Sequence, residues 1–523
     1  MKNDVTICIL LVSILGMSSC SKEEPHENSG LISLNDIPHE MIELGARLED
    51  PYSLETVKSA IQSLYPTKAV SELQPTDYYV RFLPKSDEQV RWIEKHCSKV
   101  LDHPLDHAIL REGDYYHDPS LGEDSFTWQY AVVPSSFSFP GDMRYEILDR
   151  CYIPDKESST RALDNEIDWA SVEKEAFRLC GIGISEQKPM TKAASGGPSG
   201  RITIVDDGLG EEVGVPGVLV CCNNFVKFGT AVTDENGYYQ MDEAFASDPR
   251  YRIVFQNGEG FSLGLNLILV PASVSTLGTQ SASGINVKID SSSDRKLFVR
   301  SAVNNAAYDY YRQCEKNCVT SPPSDLRIWM FNFLENSSTP MLHQGAVIDS
   351  ELMRKYLGEY APLLKALLPD ITIGVKDSND YPSIYASVTH ELAHASHYAR
   401  VGNSYWNKMI TNTITSFVTS GMKLYGTGKE FNAGYSGVGE MWAYYVQNSF
   451  YNERYLNRLA SFGSSFWFRP QILQYMDERG LGMKMLFPAF DDSVYSHEGL
   501  EKALQSLYPE RSSMIHQAFE RYL

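Results

Sequence analysis

The sequence predicts a multidomain α+β protein with an N-terminal α+β region, a central β-sandwich and a C-terminal, mainly helical region. Three observations carry this reading. Helical and strand periods alternate up to about residue 180, short β-rich runs at close spacing fill residues 201–292, and helical periodicity dominates from residue 296. A length of 523 residues with 43% hydrophobic content supplies several cores, which sets the chain apart from disordered and fibrous proteins. The formal net charge is −21, and no Lys/Arg cluster is dense enough to track a phosphate backbone, so nucleic acid is not an expected partner.

Residues 1–19 read as a secretory signal. Met1 and Lys2 lead into "VTICILLVSILG", an apolar run too short for a membrane span. The following "MSSC" resembles a lipoprotein signal-peptidase site, which implies that Cys20 becomes the lipidated first residue of the mature chain. "CSKEE" is similar to the acidic export signal of some Gram-negative surface lipoproteins, so the expected location is the outer membrane, reached through a lipid anchor and exposed to the outside. Residues 20–50 form a polar tether. No later stretch reaches eighteen unbroken apolar residues, so the lipid replaces a transmembrane helix. Seven cysteines follow Cys20. An odd number at irregular spacing does not make a disulfide framework, and Cys314 and Cys318, four apart, lack zinc-ribbon spacing.

Residues 51–180 form the N-terminal α+β region. "SLETVKSAIQSLY" places Leu54, Val57, Ile61 and Leu64 on one helical face with Ser53 as cap, "DYYVRFLP" alternates as a strand, and Ser86 with Gln89 makes a capping box. No catalytic constellation stands out here. Residues 181–200, rich in Gly, Ser and Pro, read as a linker. In residues 201–292 "RITIVDD", "VPGVLVCC", "GTAVTD", "GYYQMD" and "YRIVFQN" are strands of a small sandwich. The turn Thr233-Asp234-x-x-Gly237 before Tyr238 and Tyr239 resembles that of the carboxypeptidase regulatory-like, transthyretin-like domain. That resemblance implies a spacer or docking module without chemistry of its own.

The chemistry lies in residues 296–523. "THELAHASHY" contains His390-Glu391-Leu392-Ala393-His394, the HExxH pattern. On a helix, positions i and i+4 share a face, so both imidazoles can converge on one ion while Glu391 reaches a water beside it. Ile384, Val388 and Leu392 at helical spacing put the motif on a helix. Two imidazoles and a carboxylate suit zinc (Zn2+), whose open fourth position activates water for attack on a carbonyl, with Glu391 as base. The strand "DITIGV", residues 370–375, is a candidate sheet edge for an extended substrate.

The third ligand separates the possibilities. An HExxHxxGxxH extension fails twice, since His397 and Arg400 occupy its Gly and final His positions. Glu440 in "GYSGVGEMWAYYVQNSF" shares a helical face with Ala443, Tyr444 and Gln447, and the small Ala443 permits close helix approach. His397 lies about 10 Å along the helix axis from His390, too far for a shared ion about 2.1 Å from each nitrogen. The pairing of "HELAHASH" with "GVGEMWAYY" resembles secreted bacterial gluzincin-type zinc peptidases over residues 370–450. It implies a zincin-like metallopeptidase domain with His390, His394 and Glu440 as metal ligands, Glu391 as catalytic base, and a peptide or protein substrate. The acidic residue usual four positions beyond the third ligand is replaced by Tyr444. Tyr444, the first choice for a catalytic oxyanion donor, competes with Tyr435, Tyr445, Arg400 and His397. Two rival functions share these residues: an inactive binding or assembly lipoprotein, and a zinc amidase acting on cell-wall or glycoconjugate amides.

Overall fold

The computed structural model describes residues 41–68, 73–113, 115–122, 125–154, 167–183, 196–264, 273–331, 335–346, 369–376, 378, 380–420, 423, 425–456 and 465–523. The signal segment, Cys20, most of the tether and most of the linker lie outside them. The N-terminal part runs β1 (Glu43–Arg47), α1 (Leu54–Leu64), β2 (Asp77–Leu83), α2 (Asp87–His96), β3 (Val100–Leu101), β4 (His107–Arg111), β5 (Gln129–Pro134), β6 (Arg144–Cys151) and α3 (Trp169–Leu179). Strands β3-β5-β2-β6 form one sheet, and β1 pairs with β4 in a separate ribbon. Ser53 caps α1, its hydroxyl accepting from Thr56 N at 3.1 Å. Leu54, Val57 and Ile61 pack against Val172 and Ala176 of α3 as periodicity predicts, whereas Leu64 is 41% exposed. At α2 half of the box stands as read, Ser86 Oγ accepting from Gln89 N at 3.4 Å, while the return bond shifts by one residue, Gln89 Oε1 accepting from Lys85 N in place of Ser86 N.

The next strands are β7 (Ser199–Asp206), β8 (Glu211–Gly214), β9 (Leu219–Asn224), β10 (Lys227–Val232), β11 (Tyr238–Gln240), β12 (Arg250–Val254), β13 (Gln256–Asn257), β14 (Phe261–Gly264), β15 (Val274–Thr279) and β16 (Val287–Ile289). They build the sheets β10-β9-β12-β15 and β11-β7-β16, with β8 beside β7. Ile202 and Ile204 from one sheet share a core with Val220, Tyr251 and Ile253 from the other. Asp234 closes the β10–β11 turn, its Oδ1 accepting from Asn236 N and Tyr238 N at 2.9 Å each.

The remainder comprises α4 (Arg295–Asn317), β17 (Leu326–Phe331), β18 (Ile371–Gly374), α5 (Tyr381–Thr419), α6 (Ala433–Tyr455), α7 (Gln471–Asp477), α8 (Met483–Leu486), α9 (His497–Leu507) and α10 (Ser512–Tyr522). The architecture is therefore mixed α+β, with several sheets in the N-terminal half and a mainly helical C-terminal region. One sheet, β13-β14-β17-β18, joins strands from both sides of α4, with β14, β17 and β18 parallel. The hydrophobic core is likewise continuous from Ile202 to Phe519. The end of β7 anchors the helices that follow. Asp207 Oδ1 accepts from Tyr381 N at 2.9 Å, and the fully buried Asp206 takes Arg454 Nη2 at 2.7 Å and the Tyr455 hydroxyl at 3.1 Å. One strand terminus thus holds the start of α5 and the end of α6. Among the described residues no helix is long and apolar enough to cross a membrane.

Candidate metal centre

Helix α5 begins with Asp380 as cap, accepting from Ser383 N at 2.8 Å. Ile384, Val388 and Leu392 turn one face into the core, and Tyr310 of α4 donates to Ser396 at 2.8 Å on the same helix. The helix breaks at Gly402, where φ is +75° and ψ is 177°, a region open essentially to glycine alone. The break lies beyond His397 and turns the chain so that Tyr405 and Trp406 fold back beside the histidines. Helix α6 packs directly on α5. Ala443 is fully buried, and a Cβ on Gly439 would stand 3.0 Å from Met409 Sδ and 3.8 Å from the His394 ring, so small residues at both positions let the helices approach this closely.

This packing brings His390, His394 and Glu440 together, with their ligand atoms all within 4.8 Å of one another. The two Nε2 atoms are 3.1 Å apart, and each lies 3.4 Å from one Glu440 oxygen. Ligands about 2.1 Å from a tetrahedral ion are separated by about 3.4 Å, so the three groups already span one face of such a coordination shell. Exposure is 0% for His390, 2% for His394 and 5% for Glu440. Burial alone would raise the Glu440 carboxyl, but the facing imidazoles overcome it and hold the group down at about 2. His394 is also lowered by burial and raised, on balance, by Glu440. Both shifts describe a dry carboxylate that demands a positive charge at the point where the imidazoles meet. A donor set of two nitrogens and one oxygen around that point fits zinc.

The surroundings orient the ligands. His390 Nδ1 lies 2.9 Å from Gln447 Oε1; the amide oxygen accepts the Nδ1 proton and leaves the Nε2 lone pair facing Glu440. Glu391 is fully buried, with the Thr339 hydroxyl 2.8 Å from its Oε2, and Trp406 Nε1 donates to Thr339 O at 3.0 Å. The sequence marks Gln447 as sharing the Glu440 face without revealing its partner. Nothing in the sequence points to Thr339, 52 positions before Glu391.

His397 stands outside this group. Its ring packs against Tyr405, Trp406 and Phe490, neither nitrogen has a hydrogen-bond partner, and burial, with His394 and Arg400 nearby, pushes it down to about 3. Among the oxyanion-donor candidates Tyr444 is the one whose ring touches a ligand, 4.7 Å from His390, and its hydroxyl lies 2.8 Å from that of Tyr425. Tyr445 donates to Asp477, Arg400 to Pro488 O, and Tyr435 stacks on Tyr495. One expectation is corrected. The outer edge of β18 is not free, because Ser338 N donates to Thr372 O at 2.9 Å and Thr372 N to Ser338 O at 2.8 Å. Residues 337–339 satisfy that edge, and the same short run carries Thr339 to Glu391. The seven described cysteines are free thiols, Cys314 and Cys318 included.

These elements define a buried His-His-Glu group of zincin-like spacing that could hold a metal ion. No protein-family model, curated protein or solved structure matches the chain.

Proposed function

We propose that the protein is a zinc-dependent metallopeptidase, held at the outer surface of the outer membrane by lipid on Cys20. The observation that carries the reading is the convergence of His390, His394 and Glu440 with Glu391 on the same helix turn. Zinc bound by those three residues would supply Lewis-acid polarisation of the scissile carbonyl and of water. Glu391 accepts a proton from the attacking water and returns it to the departing amine. Thr339, donating to Oε2, holds the carboxylate in place, and Gln447 fixes the His390 tautomer. Tyr444, whose ring lies 4.7 Å from that of His390 and whose hydroxyl pairs with that of Tyr425 at 2.8 Å, is the donor assigned to a developing oxyanion.

Metal analysis of the purified protein together with a digest of a broad peptide library tests the reading. The expected result is one zinc per chain, cleavage by the wild type, and zinc retained without cleavage in Glu391→Gln. Stoichiometric zinc with no cleavage in the wild type would move the protein to the binding class, and cleavage confined to amides of cell-wall or glycoconjugate fragments to the amidase class.

A further inference from the structure

Helix α6 carries a second polar face, turned away from the one that holds Glu440 and Gln447. Tyr445, Asn448, Ser449 and Asn452 follow one another along it at i, i+3, i+4 and i+7. Gln471, Gln474 and Asp477 form the stripe of α7 that faces them, and a cavity of about 320 Å³ lies between the two helices. Helices that pack together normally close such a seam with apolar side chains, whereas this one is lined by half-buried amides and stays hollow. The amides do not satisfy one another across it. Asn448 Oδ1, Asn452 Oδ1 and both amide atoms of Gln471 are shut off from solvent without a hydrogen-bond partner. The Asn448 and Asn452 Nδ2 groups and the Gln474 amide are not shut off, and among the described residues they have no protein partner either. These open groups are what a molecule in the cavity meets.

We propose that this cavity binds a neutral polyhydroxyl ligand, a single sugar ring, either free or at the end of a glycan. Hydroxyl groups donate and accept at once, and a side-chain amide offers a donor and an acceptor on one planar end that turns either way, so several amides match neighbouring hydroxyls without a charge on either side. Charge gives the cavity no claim on an ion. Among the described residues no lysine or arginine lines it, which leaves an anion without a partner. Its two carboxylates are already engaged: Asp477 Oδ2 accepts from the Tyr445 hydroxyl at 2.7 Å, and Glu478 lies 3.7 Å from Arg479. Size agrees with one ring and not with a chain, since the volume sits at the lower end of the about 300–1,000 Å³ of small-molecule sites. The inference does not rest on the catalytic reading, because Glu440 and Gln447 occupy the other face of α6.

Saturation-transfer NMR on the full chain, solubilised in a detergent without a sugar head group, tests the proposal. One arm offers glucose, galactose and N-acetylglucosamine as free sugars, and the other lactose and chitotriose, which carry two of those rings at a chain end. The expected result is saturable transfer to at least one sugar, weakened about tenfold or more by Asn448→Ala and by Gln474→Ala, and the tighter arm names the source. Alanine favours the helix at both positions, so an unchanged thermal midpoint separates lost binding from misfolding, and if one variant fails to fold the other carries the comparison. No saturable transfer to any of the sugars leaves the seam to water and overturns the proposal. Unchanged affinity in both variants overturns it as well, as does displacement of the sugar by putrescine, which would make the cavity a cation site through Asp477 and Glu478.

Discussion

Replacing Gln447 by Leu isolates the contribution of ligand orientation at the metal centre. The side chain is nearly isosteric and 5% exposed, so the pocket stays filled while the acceptor for His390 Nδ1–H, at 2.9 Å in the native protein, disappears. A buried donor stripped of its partner costs about 1–3 kcal/mol, and the ring, no longer held, also spends part of its time with Nε2 turned away from Glu440. Loss of such outer partners typically weakens metal affinity about 10- to 100-fold, or about 1.4–2.7 kcal/mol. Zinc affinity is read by competition with a chromophoric chelator and, independently, by the zinc-dependent rise in thermal midpoint, which shrinks by the same free energy at fixed free zinc. An affinity within twofold of the wild type would refute the assignment of Gln447 as the residue that sets the His390 tautomer. Rescue by Gln447→Glu, which restores the acceptor, would strengthen it.

Other outcomes follow from the same geometry. Glu440→Ala should bind zinc far more weakly, whereas His397→Ala should retain it while losing thermal stability from the hole left among Tyr405, Trp406 and Phe490; inductively coupled plasma analysis of both variants distinguishes them. Cys20→Ser should shift the protein from the membrane pellet to the supernatant, and a variant that still pellets and takes up labelled acyl chains would contradict the anchor. Asp50 gives a pH signature. Burial, with Asp149 and Asp106 nearby and Arg47 opposing, raises it from 3.8 to about 7, so between these values the folded chain holds a proton that the unfolded chain has released. Stability from this group is therefore full below about pH 4 and lost as pH rises through 7, a cost on the order of 4 kcal/mol. Asp50→Asn should accordingly raise the thermal midpoint more at pH 8 than at pH 5, and an equal gain at both would place the Asp50 proton elsewhere.

What the sequence determines by itself is whatever is encoded within a few turns of chain. The helix carrying His390, Glu391 and His394 is legible because the i, i+4 spacing and the apolar face of Ile384, Val388 and Leu392 are local properties. The alternation of "DYYVRFL" and the turn at Asp234 are local in the same sense. Periodicity states which side of an element is buried, not what it is buried against. Tertiary structure alone decided that Gln447 meets His390, that Ser338 occupies the edge of β18, and that Thr339 reaches Glu391 from 52 residues upstream. It also decided that Asp206 and Asp207 at the end of a sandwich strand fasten both helices that carry the candidate metal ligands. The acidic residues that line a cavity beside β1 in the N-terminal part are the extreme case. Asp50, Asp106 and Asp149 belong to no common motif, and their meeting depends on the packing of β1, α1 and α3 around the N-terminal sheet, a long-range arrangement that no window of sequence contains.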